Sequence, residues 1–138
     1  MFGAGAALVC LVGVGILLST VFAYFHLSQN ASAYKQIVDL PYPMRVAIVT
    51  RAAFAEEILM RGYGIERVAE LTGSRLLAGL VTLVLFTYAH LAYWGWTQMI
   101  AAGGAGLVLT ILYLWRRDLN SNILAHWLVD GAGLLLPH

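Results

Sequence analysis

The sequence predicts an all-α fold, a polytopic transmembrane bundle of about five membrane helices. Three observations carry that expectation. Of the 138 residues, 61% are hydrophobic and only 11% are charged, against about 45–50% and about 25% in soluble domains, and the mean hydropathy is +0.80. Positions 1–34 contain no Lys, Arg, Asp or Glu. The run from Leu76 to Trp115 contains none either, and a bilayer span needs only about 20 such residues. The same composition excludes intrinsic disorder. A net charge of +1 gives no field for gathering phosphates, so nucleic acid is excluded as a partner and the lipid bilayer is the expected surrounding.

Taken in order, the first helix covers about residues 2–28, mostly Ala, Val, Leu, Ile and Gly. A signal peptide would open on Lys or Arg and close on a small-residue cleavage site; neither is present. Cys10, the single cysteine, sits inside this run and reads as a small buried hydrophobe. Residues 28–43 form a linker containing Asn30-Ala31-Ser32, formally a glycosylation acceptor, so 1–43 separates as a first helix plus linker from a helical core at 44–138.

The second helix, about 44–71, starts behind Pro43 and stops at Thr72-Gly73-Ser74, which also caps the third helix at about 74–95. A break at Tyr93-Trp94-Gly95-Trp96-Thr97 suits the membrane interface and opens the fourth helix, about 97–116. Its Gly103-Gly104-Ala105-Gly106 cluster allows close approach to a neighbour. The fifth helix, about 121–136, takes cap chemistry from Leu119-Asn120-Ser121-Asn122 and ends at Pro137. Arg67, Arg75, Arg116 and Arg117 fall on one side of such a bundle and Lys35 and Arg45 on the other. The excess places the first side in the cytoplasm and the N-terminus inside, as in an integral protein of a bacterial-type plasma membrane.

Ionisable residues at membrane depth cost about 2.5–3.5 kcal/mol each on insertion scales and mark function by default. Here Glu56, Glu57 and Arg61 lie on the second helix, His90 on the third, and His126 and Asp130 on the fifth. Glu57 and Arg61 are four residues apart and can pair on one face. Glu56 points about 100° away from Glu57 and lacks that partner, which leaves it free to accept and return protons. His126 and Asp130 share a face, and Phe86 and His90 repeat the spacing, setting a ring beside the imidazole. His26 and His138 sit at span ends and read as interfacial.

These residues carry a resemblance. Glu56-Glu57-Ile58-Leu59-Met60-Arg61 resembles the Glu-Glu-x-x-x-Arg signature of the CAAX protease and bacteriocin-processing family, also called the Abi family. Phe86-Thr87-Tyr88-Ala89-His90 resembles its Phe-x-x-x-His element, and His126-Trp127-Leu128-Val129-Asp130 its His-x-x-x-Asn/Asp element. The resemblance covers about residues 44–136 and implies an intramembrane endopeptidase acting on a membrane-associated or lipidated peptide or protein. It implies Glu56 as the carboxylate that activates water, His90 as its partner, and His126 with Asp130 completing the site. Glu57 and Arg61 match architectural positions, with Phe86 in support. Position 130 is Asp where the prenyl-processing branch has Asn, and only an amide donates to an oxyanion while the carboxylate is ionised.

Cofactor chemistry stays open at this level. Glu56, His90 and His126, with Asp130, are acceptable zinc ligands, and a catalytic divalent-metal site needs three plus water. The spacing is not the His-Glu-x-x-His that predefines a zinc site on one helix, and a metal-free glutamate mechanism uses the same residues. Two other functions share the features. One is a bacteriocin-immunity or binding protein on the same scaffold that does not cleave. The other is a proton-coupled carrier, disfavoured by the lack of an inverted repeat.

Overall fold

A computed structural model describes residues 2–27 and 31–136, and all regular structure among them is helical. The order is α1 (Phe2–Tyr24), α2 (Ala31–Val38), α3 (Tyr42–Glu57), a π-helical segment (Ile58–Ile65), α4 (Glu66–Thr72), α5 (Arg75–Ala89), α6 (Leu91–Trp94), α7 (Trp96–Arg116) and α8 (Leu119–Leu134). Asn30, Pro137, His138 and the Cys10 side chain lie outside what is described.

Among the described residues, two segments are long and apolar enough to cross a bilayer unaided, Arg75–Trp94 and Trp96–Arg116. The other expected helices are present but differ from simple spans. The described apolar stretch of α1 is Leu11–Tyr24. At about 1.5 Å per residue, α8 is about 24 Å long, shorter than a hydrocarbon core. The second expected helix is continuous from α3 through α4 yet carries Arg45, Arg51, Glu56, Glu57 and Arg61. The expected linker is itself partly helical, since α2 occupies much of it.

Local chemistry explains the helix ends. Pro41 precedes α3 and Pro43 sits in its first turn, where a missing N–H costs nothing. Gly73, at φ 68°, closes α4 in the left-handed conformation, and Ser74 Oγ then accepts from Leu77 N at 3.3 Å to cap α5. The cap of α8 differs from the expected Leu119-Asn120-Ser121-Asn122. Asp118 supplies it, accepting from Asn120 N at 3.1 Å and from the Ser121 hydroxyl. The Ser121 contact, helped by that backbone N–H, holds the Asp118 carboxyl below its ordinary range. At the other end of α8, Tyr34 Oη donates to Gly133 O and Arg45 Nη1 to Leu134 O, each at 3.0 Å. Two of the carbonyls that a helix C-terminus leaves open are thereby satisfied.

α5 packs along α7, α3 along α8, and α1 lies against both α7 and α8. Leu11, Leu109, Leu112 and Ala125 form one apolar cluster between α1, α7 and α8, while Ile65, Ala78 and Tyr113 form another between the π-helical segment, α5 and α7. At the Arg117 end, Glu66 accepts from Arg117 Nη2 at 2.8 Å and from Tyr113 Oη at 3.2 Å. That contact brings the arginine-bearing turns to the same end of the bundle. Large apolar side chains such as Val84, Leu85, Ile111 and Leu124 face outward, whereas Glu57, Arg61, Asn122 and His126 are buried. The interior thus combines apolar clusters with a buried polar network, inside a surface of large apolar side chains, as a bilayer permits.

The glycine cluster on α7 behaves as its composition suggests. A Cβ on Gly106 would stand 2.8 Å from Cδ1 of the Phe86 ring and 3.1 Å from Leu83 Cδ1. Gly106→Ala is therefore expected to cost about 1–3 kcal/mol by overpacking, read as a lower melting temperature in detergent. Gly133→Ala, whose Cβ meets nothing within 4 Å, should leave the melting temperature where it was.

Candidate active site

The adjacent carboxylates Glu56 and Glu57 end α3 and diverge as helical geometry requires. Glu57 is fully buried and accepts three hydrogen bonds. Its Oε1 takes Arg61 Nη1 at 2.8 Å and His126 Nδ1 at 2.9 Å; its Oε2 takes Asn122 Nδ2 at 3.1 Å. Arg61, 1% exposed, also donates through Nη2 to Gly106 O at 3.1 Å. Its guanidinium lies 4.5 Å from the centre of the Phe86 ring, within cation–π range. The i,i+4 pair expected from the sequence is thus formed, and it is wired to α7 and α8 as well.

Phe86 occupies the middle of the site. Its ring centre is 4.8 Å from that of His90 and 6.2 Å from that of His126, with Arg61 on it too. The expected Phe86–His90 contact is present. His90 Nδ1 is 2.9 Å from Phe86 O. A carbonyl only accepts, so Nδ1 carries the proton and Nε2 is left to face other partners.

Glu56, by contrast, opens onto a cavity of about 430 Å³ whose wall includes His90, His126, Asp130, Gln98 and Trp94. Its Oε2 is buried with no hydrogen-bond partner among the described residues. That oxygen is 3.8 Å from His126 Nε2, and Asp130 Oδ2 approaches the same nitrogen to 3.4 Å. Glu56, His90, His126 and Asp130, singled out from the sequence, therefore all line one cavity. Phe86 lines it as well, while Glu57 and Arg61 stand behind it. Among the described residues no group of three His, Cys, Asp or Glu side chains is arranged to hold a metal ion. The zinc set of Glu56, His90 and His126 forms no such group, and no step below passes through a metal.

Two contacts escaped the sequence reading. The bond from His126 to Glu57 assigns His126 Nδ1 to the supporting carboxylate. Asn122, read there only as cap chemistry, is wholly buried in the network. Its signal was spacing: Asn122, His126 and Asp130 follow one another at four-residue intervals along one face of α8.

The chain matches the family model described as type II CAAX prenyl endopeptidase Rce1-like over residues 38–132. It belongs to that family. The match takes in all three motifs and leaves out α1. Comparisons with curated proteins and with solved structures each return no match. Rce1-like membership makes the protein an intramembrane protease of the CAAX type and an integral membrane protein.

Arg61→Ala would leave Glu57 charged and short of a partner at zero exposure. Breaking such a pair costs about 3–5 kcal/mol. The expected outcome is lower yield and a lower melting temperature, with activity falling as a consequence. An inactive variant of unchanged thermal stability would move Arg61 into the chemistry.

Proposed function

We propose that the protein hydrolyses a peptide bond of a membrane-associated or lipidated substrate with a water activated by Glu56. The observation that carries this reading is the contrast between neighbours. Glu57 has every oxygen engaged, while Glu56 lines the cavity and carries an oxygen, Oε2, with no hydrogen-bond partner among the described residues. At 3.8 Å from His126 Nε2, that oxygen is too far for a direct hydrogen bond.

In the proposed reaction Glu56 takes a proton from a water in the cavity as the water oxygen attacks the scissile carbonyl carbon. The carbonyl π electrons move onto oxygen and give a tetrahedral oxyanion. The C–N bond then breaks, and the proton held by Glu56 passes to the leaving amine. His90 and His126 lie on the cavity wall to steady the developing negative charge. Glu57 and Asp130 hold the two nitrogens of His126. The arginine-bearing end of the bundle supports a cytoplasmic placement of Arg67, Arg75, Arg116 and Arg117 in a bacterial-type plasma membrane, with the N-terminus inside.

The test is cleavage of a synthetic prenylated peptide ending in a CAAX sequence by purified protein, with and without chelator. Glu56→Gln is expected to lose about 10²–10⁴-fold in kcat with its melting temperature intact; near-full activity would remove Glu56 as the base. Asp130→Asn is expected to retain activity at neutral pH, because the amide keeps an oxygen for His126 and adds a donor for the oxyanion. Loss of activity together with bound metal in that variant would make Asp130 a ligand and the enzyme a metalloprotease.

A further inference from the structure

Asn122 has no place in the chemistry just described, yet it is wholly buried and touches the centre of the site. Its Nδ2 donates to Glu57 Oε2 at 3.1 Å and to Leu109 O at 2.7 Å. Both partners are acceptors, which fixes the orientation of the amide: the nitrogen must face them. Its Oδ1 is buried with no hydrogen-bond partner among the described residues. Burying an unsatisfied acceptor is costly, so the position is used for its two N–H donors alone. An apolar residue would fill the space without that cost.

Those donors decide how Glu57 stands. Oε1 already receives Arg61 and His126, and Asn122 is what anchors Oε2. With both oxygens fixed, the carboxylate cannot turn about its last torsion, and Oε1 stays aimed at His126 Nδ1. Nδ1 then donates to Glu57, and Nε2 is the nitrogen presented to Glu56 and Asp130. Leu109 O, on α7, completes the brace and ties the orientation to a helix outside the motifs.

We propose that Asn122 is a positioning residue: it locks Glu57 so that Glu57 holds His126 in the ring orientation the cavity requires. The inference rests on the protease reading for its kinetic consequence, while its structural consequence stands without it. A residue that merely ties α8 to α7 would affect stability and leave turnover per folded molecule alone. A positioning residue acts on kcat through His126.

The experiment compares wild type, Asn122→Leu and Asn122→Asp. Leu removes both donors, and Asp sets a second acceptor against Glu57 Oε2 and Leu109 O. On the prenylated CAAX peptide, both variants are expected to lose about 10–100-fold in kcat, the scale seen when partners that orient a functional histidine are removed, with KM unchanged. In parallel, nitrogen-15 NMR of the histidine side chains in detergent is expected to show a protected His126 Nδ1–H in wild type, lost in folded Asn122→Leu. Unchanged kcat per folded molecule with only a lower melting temperature would overturn the proposal, as would a His126 signal indifferent to Asn122. If wild type cleaves nothing, the protease reading fails, and the NMR comparison still decides the role of Asn122.

Discussion

A single buried carboxylate holds the bundle to its own chemistry. Glu57 receives Arg61 from the π-helical segment and both His126 and Asn122 from α8. Arg61 and Asn122 then pass the connection to α7 through the carbonyls of Gly106 and Leu109. Stretches of chain that the sequence scatters over some seventy positions are therefore tied to the end of α3, the π-helical segment and α8 directly and α7 through them. In lipid no apolar driving force gathers helices, so hydrogen bonds and close packing must do it. A half-satisfied network at zero exposure would be worse than none, which is why every arm of Glu57 is occupied.

The division of labour between the two glutamates follows from one helical step. Glu57 turns inward to Arg61; Glu56, about 100° around, meets the cavity, with His126 Nε2 3.8 Å from its Oε2. Arg61 is kept from the cavity by the ring of Phe86, whose faces and edges also touch both imidazoles. The π-helical segment begins immediately after this pair. Such segments are rare and collect at functional sites, and here Gly62 and Gly64 within it let the widened turn sit 3.2 Å and 3.0 Å, at a would-be Cβ, from Leu119 and Thr82.

Contacts within one turn of helix were legible from the sequence, and contacts between helices were not. Glu57–Arg61, Phe86–His90 and His126–Asp130 are all four-residue pairs, and all three stand as expected, because helical geometry alone fixes them. The close approach at Gly106 was legible for a similar reason: small residues speak for themselves. Nothing local announces that His126 turns its Nδ1 toward Glu57, since that depends on how α3 and α8 are rotated against each other. Asn122 was hidden by its resemblance to cap chemistry at a helix start, a role that Asp118 takes instead. Among the described residues, two of the expected helices are long and apolar enough to read as spans by themselves. The helix beginning at α3 and the helix α8 instead carry the polar groups that build the site.

The apolar surface, with Val84, Leu85, Ile111 and Leu124 facing outward around an interior that buries Glu57, Arg61, Asn122 and His126, has a calorimetric consequence. The heat capacity of unfolding in soluble proteins comes from apolar surface newly exposed to water. Helices that separate inside a bilayer exchange protein neighbours for hydrocarbon and wet little apolar surface. The free energy of separating this bundle in lipid should then vary almost linearly with temperature, without the dome that brings cold denaturation. Cooling would strengthen it steadily, because what is lost on separation is enthalpy held in a few short polar contacts.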